Sequence, residues 1–100
     1  MKILIKGKVW RYPGAEGWHF VYADKQLSEK IRKYHRKRYK GVRVGFGYVP
    51  TVATVGKSSW KTTLFPSKKE GVYLIAVKAP VRKKEEIQEG DDLKIHCDLL

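Results

Sequence analysis

Thr51-Val52-Ala53-Thr54-Val55 and Ser59-Trp60-Lys61-Thr62-Thr63-Leu64-Phe65 flank the short bridge Gly56-Lys57-Ser58. β-Branched and aromatic residues dominate both flanks, and such side chains fit a pleated, half-buried surface. Gly56 tolerates the backbone angles of a tight turn, so the whole run reads as a β-hairpin. Successive side chains of a strand point to opposite faces. Trp60 and Thr62 therefore share one face, and Lys61 and Thr63 the other.

Strand signals continue on both sides of this hairpin. Val42 to Val49 reads as a strand containing Gly45 and Gly47, and glycines inside a strand mark a bulge or a bend of the kind barrel corners require. Pro50 suits an edge or a corner. Pro66 to Gly71 reads as a loop. Val72 to Ala79 is nearly all apolar, which predicts the most buried strand. Lys83 to Gln88 has room for one helical turn, and Glu89-Gly90-Asp91 for a tight turn. In the last strand Leu93, Ile95, Cys97 and Leu99 alternate with Lys94, His96 and Asp98.

The N-terminus alternates in the same way, with Ile3, Ile5, Gly7 and Val9 against Lys2, Lys6 and Lys8. Period two with one wet face is a half-buried strand. Tyr12-Pro13-Gly14 predicts a turn, and Trp18 to Tyr22 a second strand. One segment has helical period. Asp24 is placed as an N-cap for a helix from about Lys25 to Arg38. Leu27, Ile31, Tyr34 and Arg38 form its narrow apolar stripe, and Lys40-Gly41 is the expected stop. Six to seven short strands with one helix read as a small β-barrel with a helical cap, a single domain over residues 1–100.

Length and composition agree. One hundred residues is near the modal domain size and can bury one core without metal or disulfide support. Cys97 is the only cysteine, which excludes an intramolecular disulfide and fits a reducing compartment. Met1-Lys2-Ile3-Leu4-Ile5-Lys6 is too short and too interrupted by lysine for a signal peptide. No run approaches the roughly 20 apolar residues of a membrane span. The expectation is a soluble cytoplasmic protein.

Charge is the functional signal. Between Glu29 and Glu70 stand twelve Lys and Arg residues and no acid, while the remainder balances ten basic against ten acidic residues. The whole net charge of +12 therefore arises in one window, and charge segregated in this way points to a polyanion partner.

A family resemblance runs through most of the chain. Ser59-Trp60-Lys61-Thr62-Thr63-Leu64-Phe65-Pro66 is followed by Gly71-Val72-Tyr73-Leu74, then Val81-Arg82-Lys83 and Glu89-Gly90-Asp91, with Gly17-Trp18-His19-Phe20-Val21 ahead of the helix. This order resembles DUF1905, a bacterial and archaeal family described as a domain of unknown function. The resemblance implies a double-split β-barrel, grouped beside the swapped-hairpin DNA-binding barrels of the AbrB and MazE type, and it implies no activity and no catalytic residues. After the second strand the family usually has a small or apolar residue and a proline, where this chain has Tyr22-Ala23-Asp24. The expected fold class is all-β: a six- to seven-stranded double-split or Greek-key barrel capped by one α-helix at about residues 25–38.

On the helix, Lys30, Lys33, Lys37 and Lys40 recur on one row and Arg32 and Arg36 on the next. Repulsion between cations four apart costs a few tenths of a kcal/mol. The helix dipole offsets it near the C-terminus, and Glu29 is placed to pair with Lys33. Two readings follow: a solvated face, or a surface that tracks the phosphates of a nucleic acid through Lys30, Arg32, Lys33, Arg36, Lys37, Lys40 and Arg43. Tyr34 and Tyr39 either stack on bases or anchor the helix to the barrel.

An alternative site is a barrel mouth in which Trp18, Trp60, Lys61 and Arg82 hold a small anionic ligand. Against it, Trp60 also reads as core, and Arg82 as a clamp to Asp91 or Asp92 across the last turn. A third reading is a structural subunit that forms a homodimer through edge strands. His19, His35 and His96 lie at no metal-ligand spacing, and His96 and Cys97 point to opposite faces of one strand. No catalytic constellation, metal site or cofactor motif is visible. The expected function is a non-enzymatic module for a polyanion, most simply a nucleic acid.

Overall fold

The structure, a computed structural model, describes residues 1–14, 17–39 and 47–100. The expected strand over 42–49 falls mostly outside those residues, as do Gly45, the helix stop at Lys40-Gly41, and the candidate contacts Lys40 and Arg43.

Alternation builds the first sheet. In β1 (Lys2–Lys8) Ile3 and Ile5 are buried while Lys2 and Lys6 are exposed. In β7 (Asp92–Leu99) Ile95, Cys97 and Leu99 point inward and Lys94, His96 and Asp98 outward. The two pair antiparallel with apolar residues opposite each other, Ile3 to Cys97 and Ile5 to Ile95. A one-residue slip would turn both apolar rows to solvent, so burial sets this register. β4 (Val49–Val55) lies on the other side of β7 and buries Val49, Thr51, Ala53 and Val55. The Thr51 hydroxyl, fully inside, donates to the Asp98 carbonyl at 3.0 Å.

The hairpin forms as its residues predict. β5 (Ser58–Pro66) returns along β4 with Val55 opposite Ser58, which leaves Gly56-Lys57 as the turn. Gly56 has φ +56. The distal end of β5 then changes partner. Phe65 and Pro66 pair with β6 (Tyr73–Ala76), so β5 belongs to both sheets. β6 is flanked by buried Val72 and Val77, as expected for the most apolar run. β3 (His19–Tyr22) pairs with β6, and the short β2 (Trp10–Arg11) with β3.

The chain changes sheets a second time at Val9. β1 pairs with β7 and β2 with β3, while the Val9 N–H donates to the Asp91 carbonyl at 2.9 Å and its carbonyl accepts from Gly90 at 2.7 Å. The strand order β1-β7-β4-β5-β6-β3-β2 thus starts and ends on consecutive strands, and the sheet curls into a nearly closed antiparallel barrel, with seven strands among the described residues. Gly7 sits at the closure. A Cβ there would lie 3.0 Å from Val21 Cγ1 and 3.2 Å from the Tyr22 carbonyl oxygen, so β1 crosses β3 where glycine alone leaves room.

Helix α1 spans Lys25–Arg38, and the Asp24 carboxylate caps it by accepting the Leu27 N–H at 2.7 Å. Ile31 is fully buried, and Leu27 and Tyr34 pack against the core. Arg38 stays at the surface, its guanidinium 5.5 Å from the Tyr39 ring. A second helix, α2 (Ala79–Glu85), stands where one turn at 83–88 was expected. It begins earlier because Pro80 lies in its first turn, where a missing N–H is harmless and a fixed φ is already helical. The Glu85 carboxylate reaches back to the hairpin and accepts the Ser58 hydroxyl at 2.6 Å.

Candidate functional site

The outer face of α1 brings four of the predicted cations together. Lys30, Lys33, Arg36 and Lys37 line one shallow groove of about 530 Å³ with Tyr34 and Met1. None of the four forms an ion pair among the described residues. The groove exists because Tyr34 leans from the helix to the end of β7. Its hydroxyl donates to the Leu99 carbonyl at 3.1 Å and the Leu100 carbonyl at 2.9 Å. The Tyr39 hydroxyl meets the same Leu100 carbonyl at 3.1 Å. Both tyrosines therefore anchor the helix, which leaves neither hydroxyl end free to cover a base.

Arg32 departs from the row. Its guanidinium pairs with Glu29, donates to the Gly71 carbonyl, and lies 5.9 Å from the centre of the Tyr73 ring. Glu29 is thus engaged with Arg32 rather than with the expected Lys33. The reason is geometric: the Arg32 side chain turns toward the barrel, where Gly71 before β6 offers a carbonyl and Tyr73 of β6 an aromatic face. Burial raises the Tyr73 phenol above its ordinary value, with the Arg32 charge pulling the other way. The phenol stays neutral and donates to the Gly47 carbonyl at 2.6 Å.

The residues of the alternative site are only partly gathered. Trp18 and Arg82 line a cavity of about 260 Å³ with His19 and Lys78, whereas Trp60 and Lys61 do not line it. The Arg82 guanidinium donates to the Val77 carbonyl at 2.6 Å. It makes no clamp to the acids of the last turn, because both have other partners. Asp91 accepts the Gln88 N–H at 2.8 Å, and Asp92 lies 3.7 Å from the Lys8 ammonium. Trp60 packs against the core, and its indole N–H finds no acceptor among the described residues. Cys97 is 2% exposed, and burial pushes its thiol up to about 11, against a smaller opposing pull from the Thr51 hydroxyl. A thiol held protonated is a poor nucleophile. Among the described residues no three His, Cys, Asp or Glu side chains are grouped to hold a metal ion, and no helix is long and apolar enough to cross a membrane.

A further groove shares only Trp18 with these sets. Trp10, Tyr12, Trp18, Phe20 and Tyr22 line a groove of about 660 Å³ on the outside of β2 and β3. Trp10 and Tyr22 stack at 5.1 Å and 19°, and Trp18 and Phe20 at 6.1 Å and 14°. Burial, with a smaller push from the Glu70 carboxylate, raises the Tyr22 phenol. The signal for this groove is present in the chain. Trp18, Phe20 and Tyr22 recur with period two, which places them on one face of a strand whose other face carries the buried Val21.

Taken together, fold and surface define a small antiparallel barrel with a helical cap, a basic helix face and an aromatic outer wall. The chain belongs to the family described as Domain of unknown function (DUF1905), whose model matches residues 6–97. No curated protein matches the chain.

Proposed function

We propose that this domain is a non-enzymatic binding module for a polyanion, a nucleic acid in the simplest case, held on the outer face of α1. One observation carries the reading. Lys30, Lys33, Arg36 and Lys37 line a single groove with no carboxylate paired to any of them among the described residues. A helix face that served only solubility would gain from interspersed acids at i, i+4 spacing, and this face has none beyond Glu29. The four side chains together neutralise about four phosphates, so the logarithm of affinity for duplex DNA falls with the logarithm of salt at a slope of roughly −3 to −4.

The test is fluorescence anisotropy with labelled duplex DNA, single-stranded DNA and structured RNA across a salt series, with heparin as the sequence-free polyanion. The combined variant Lys33→Glu, Arg36→Glu and Lys37→Glu loses binding, and its melting temperature stays close to that of the parent because all three side chains are exposed. Unchanged affinity in that variant would sink the reading.

A further inference from the structure

We infer that the aromatic groove over β2 and β3 is a stacking platform for unpaired nucleobases, which makes the ligand of this domain a single-stranded nucleic acid. For its electrostatic component the inference rests on the polyanion reading of α1. For base recognition it rests on the groove alone.

Sheet faces that carry large aromatics are normally covered. Here the inner face of β3 packs Val21 into the barrel, yet the outer face presents Phe20 and Tyr22 with Trp10 between them. Trp18 is 51% and Tyr12 55% exposed at its margin. Aromatics clustered in an exposed groove, rather than scattered singly, mark a place where something binds. The rings also have a usable geometry. The Trp10–Tyr22 and Trp18–Phe20 pairs are each nearly parallel, so each stack has a face left over on which a flat partner can continue it. Every base has a π-face, and stacking on aromatic side chains contributes about 1–3 kcal/mol per base.

Charge chooses among flat or apolar partners. A quaternary ammonium or other cation would approach against a net charge of +12, whereas an anionic strand is drawn in. The floor of the groove is aromatic, and its rim carries Lys69, the last member of the acid-free window, beside Glu70, so the rim itself is near neutral and the attraction for an anionic strand comes from the net charge of the chain. The same rim is tied to the basic helix: Lys69 and Glu70 precede Gly71, whose carbonyl accepts from Arg32 of α1. A strand whose bases turn onto Trp18 and Trp10 would keep its phosphates in the field of a strongly basic chain. Duplex bases are stacked on each other and cannot do this. The selectivity is therefore for single strands, and DNA and RNA are distinguished only by experiment.

The test compares a short oligothymidylate, the same length of RNA, an abasic strand of equal charge, and a duplex, at about 150 mM salt. Base-bearing single strands bind about tenfold or more tightly than the abasic strand, and they quench tryptophan emission, since two of the three tryptophans line the groove. Trp18→Ala and, separately, Tyr12→Ser remove that margin and leave abasic binding unchanged. Both side chains are more than half exposed, so the variants keep the parent's melting temperature, and two of them guard against one misfolding. Equal affinity for base-bearing and abasic strands would overturn the inference. So would an unaltered margin in both variants, or quenching by a neutral oligosaccharide but not by any oligonucleotide. The two readings fail separately: if the α1 charge-reversal variant still binds abasic strands, the helix reading falls, while a base-dependent margin lost in Trp18→Ala keeps the groove.

Discussion

The hydroxyl of Ser28 accepts the backbone N–H of Tyr73 at 2.9 Å, with both residues sealed from solvent. A serine in the second turn of α1 thus satisfies the first residue of β6, 45 positions away. Ser28→Ala would leave that N–H buried without an acceptor, and orphaned buried donors destabilise by about 1–3 kcal/mol. Thermal unfolding should show a melting temperature lower by roughly 4–8 °C per kcal/mol for a domain of this size. Polyanion affinity measured well below the melting point should not move, because Ser28 faces the barrel and not the basic groove.

Gly7 lies where β1 crosses β3 with little room for a side chain. Its substitution by alanine drives a methyl group toward Val21 Cγ1 at 3.0 Å and the Tyr22 carbonyl at 3.2 Å. The side chain can yield but the carbonyl is backbone, so overpacking should cost about 1–3 kcal/mol. Urea unfolding of Gly7→Ala should show a lower midpoint. A midpoint equal to the parent's would mean that β1 does not lie against β3 in solution.

Arg32 and Arg36 are one helical turn apart and differ in their partners: Arg32 is held by Glu29 and Gly71, and Arg36 forms no ion pair among the described residues. Arg32→Ala removes charged hydrogen bonds to Glu29 and Gly71 and should lower stability by about 1–2 kcal/mol with little change in polyanion binding. Arg36→Ala should change stability by no more than about 0.5 kcal/mol, weaken binding, and reduce the salt slope by about one. Paired unfolding and anisotropy titrations of the two variants check this. Equal effects of both substitutions on binding would place Arg32 on the ligand side.

Cys97 links stability to alkaline pH. Its folded thiol titrates at about 11 against an ordinary value of 9.0, so on raising the pH the unfolded chain releases its proton first. Stability from this group is complete below the unfolded value and falls as the pH climbs toward the folded one, by at most about 2–3 kcal/mol. Lysines titrate in the same range, so the measurement is the difference between the parent and Cys97→Ala, taken by urea unfolding at about pH 8 and about pH 11. The difference should shift against the parent at the higher pH. In the native state at about pH 8 the thiol should also resist alkylation until urea is added.

Much of the fold was legible because it follows from periods that the chain displays. Ile3-Ile5 and Ile95-Cys97-Leu99 alternate, and each became a half-buried strand. The helix start was readable because Asp24 is a capping residue and Leu27, Ile31 and Tyr34 fall on one face. The sequence places α2 too late because Val72 to Ala79 reads as one apolar run, and nothing in that run shows that the strand stops at Ala76 before Pro80 opens a helix. The site divides in the same way. Lys30, Lys33, Arg36 and Lys37 were readable as one face from spacing alone. Arg32 belonged to that pattern until the loop at Gly71, 39 residues on, was brought beneath it. The aromatic groove needed Trp10 from a separate strand, opposite Phe20, before Trp18, Phe20 and Tyr22 became a wall.

The chain by itself determined which residues face inward on β1 and β7, where α1 begins, and that all of the net charge lies in one window. Those properties depend on neighbours within a few positions, through backbone period, capping and Coulomb repulsion, and local order displays them. Only the tertiary structure decided which strands pair, which arginine is held against the barrel and which has no ion-pair partner among the described residues, and that the aromatics of two strands share one surface. Those outcomes depend on contacts between residues far apart in sequence, where many pairings satisfy the same local pattern. Closure at Gly7, the two changes of sheet at Val9 and Phe65, and the bond from Ser28 to Tyr73 select one of them.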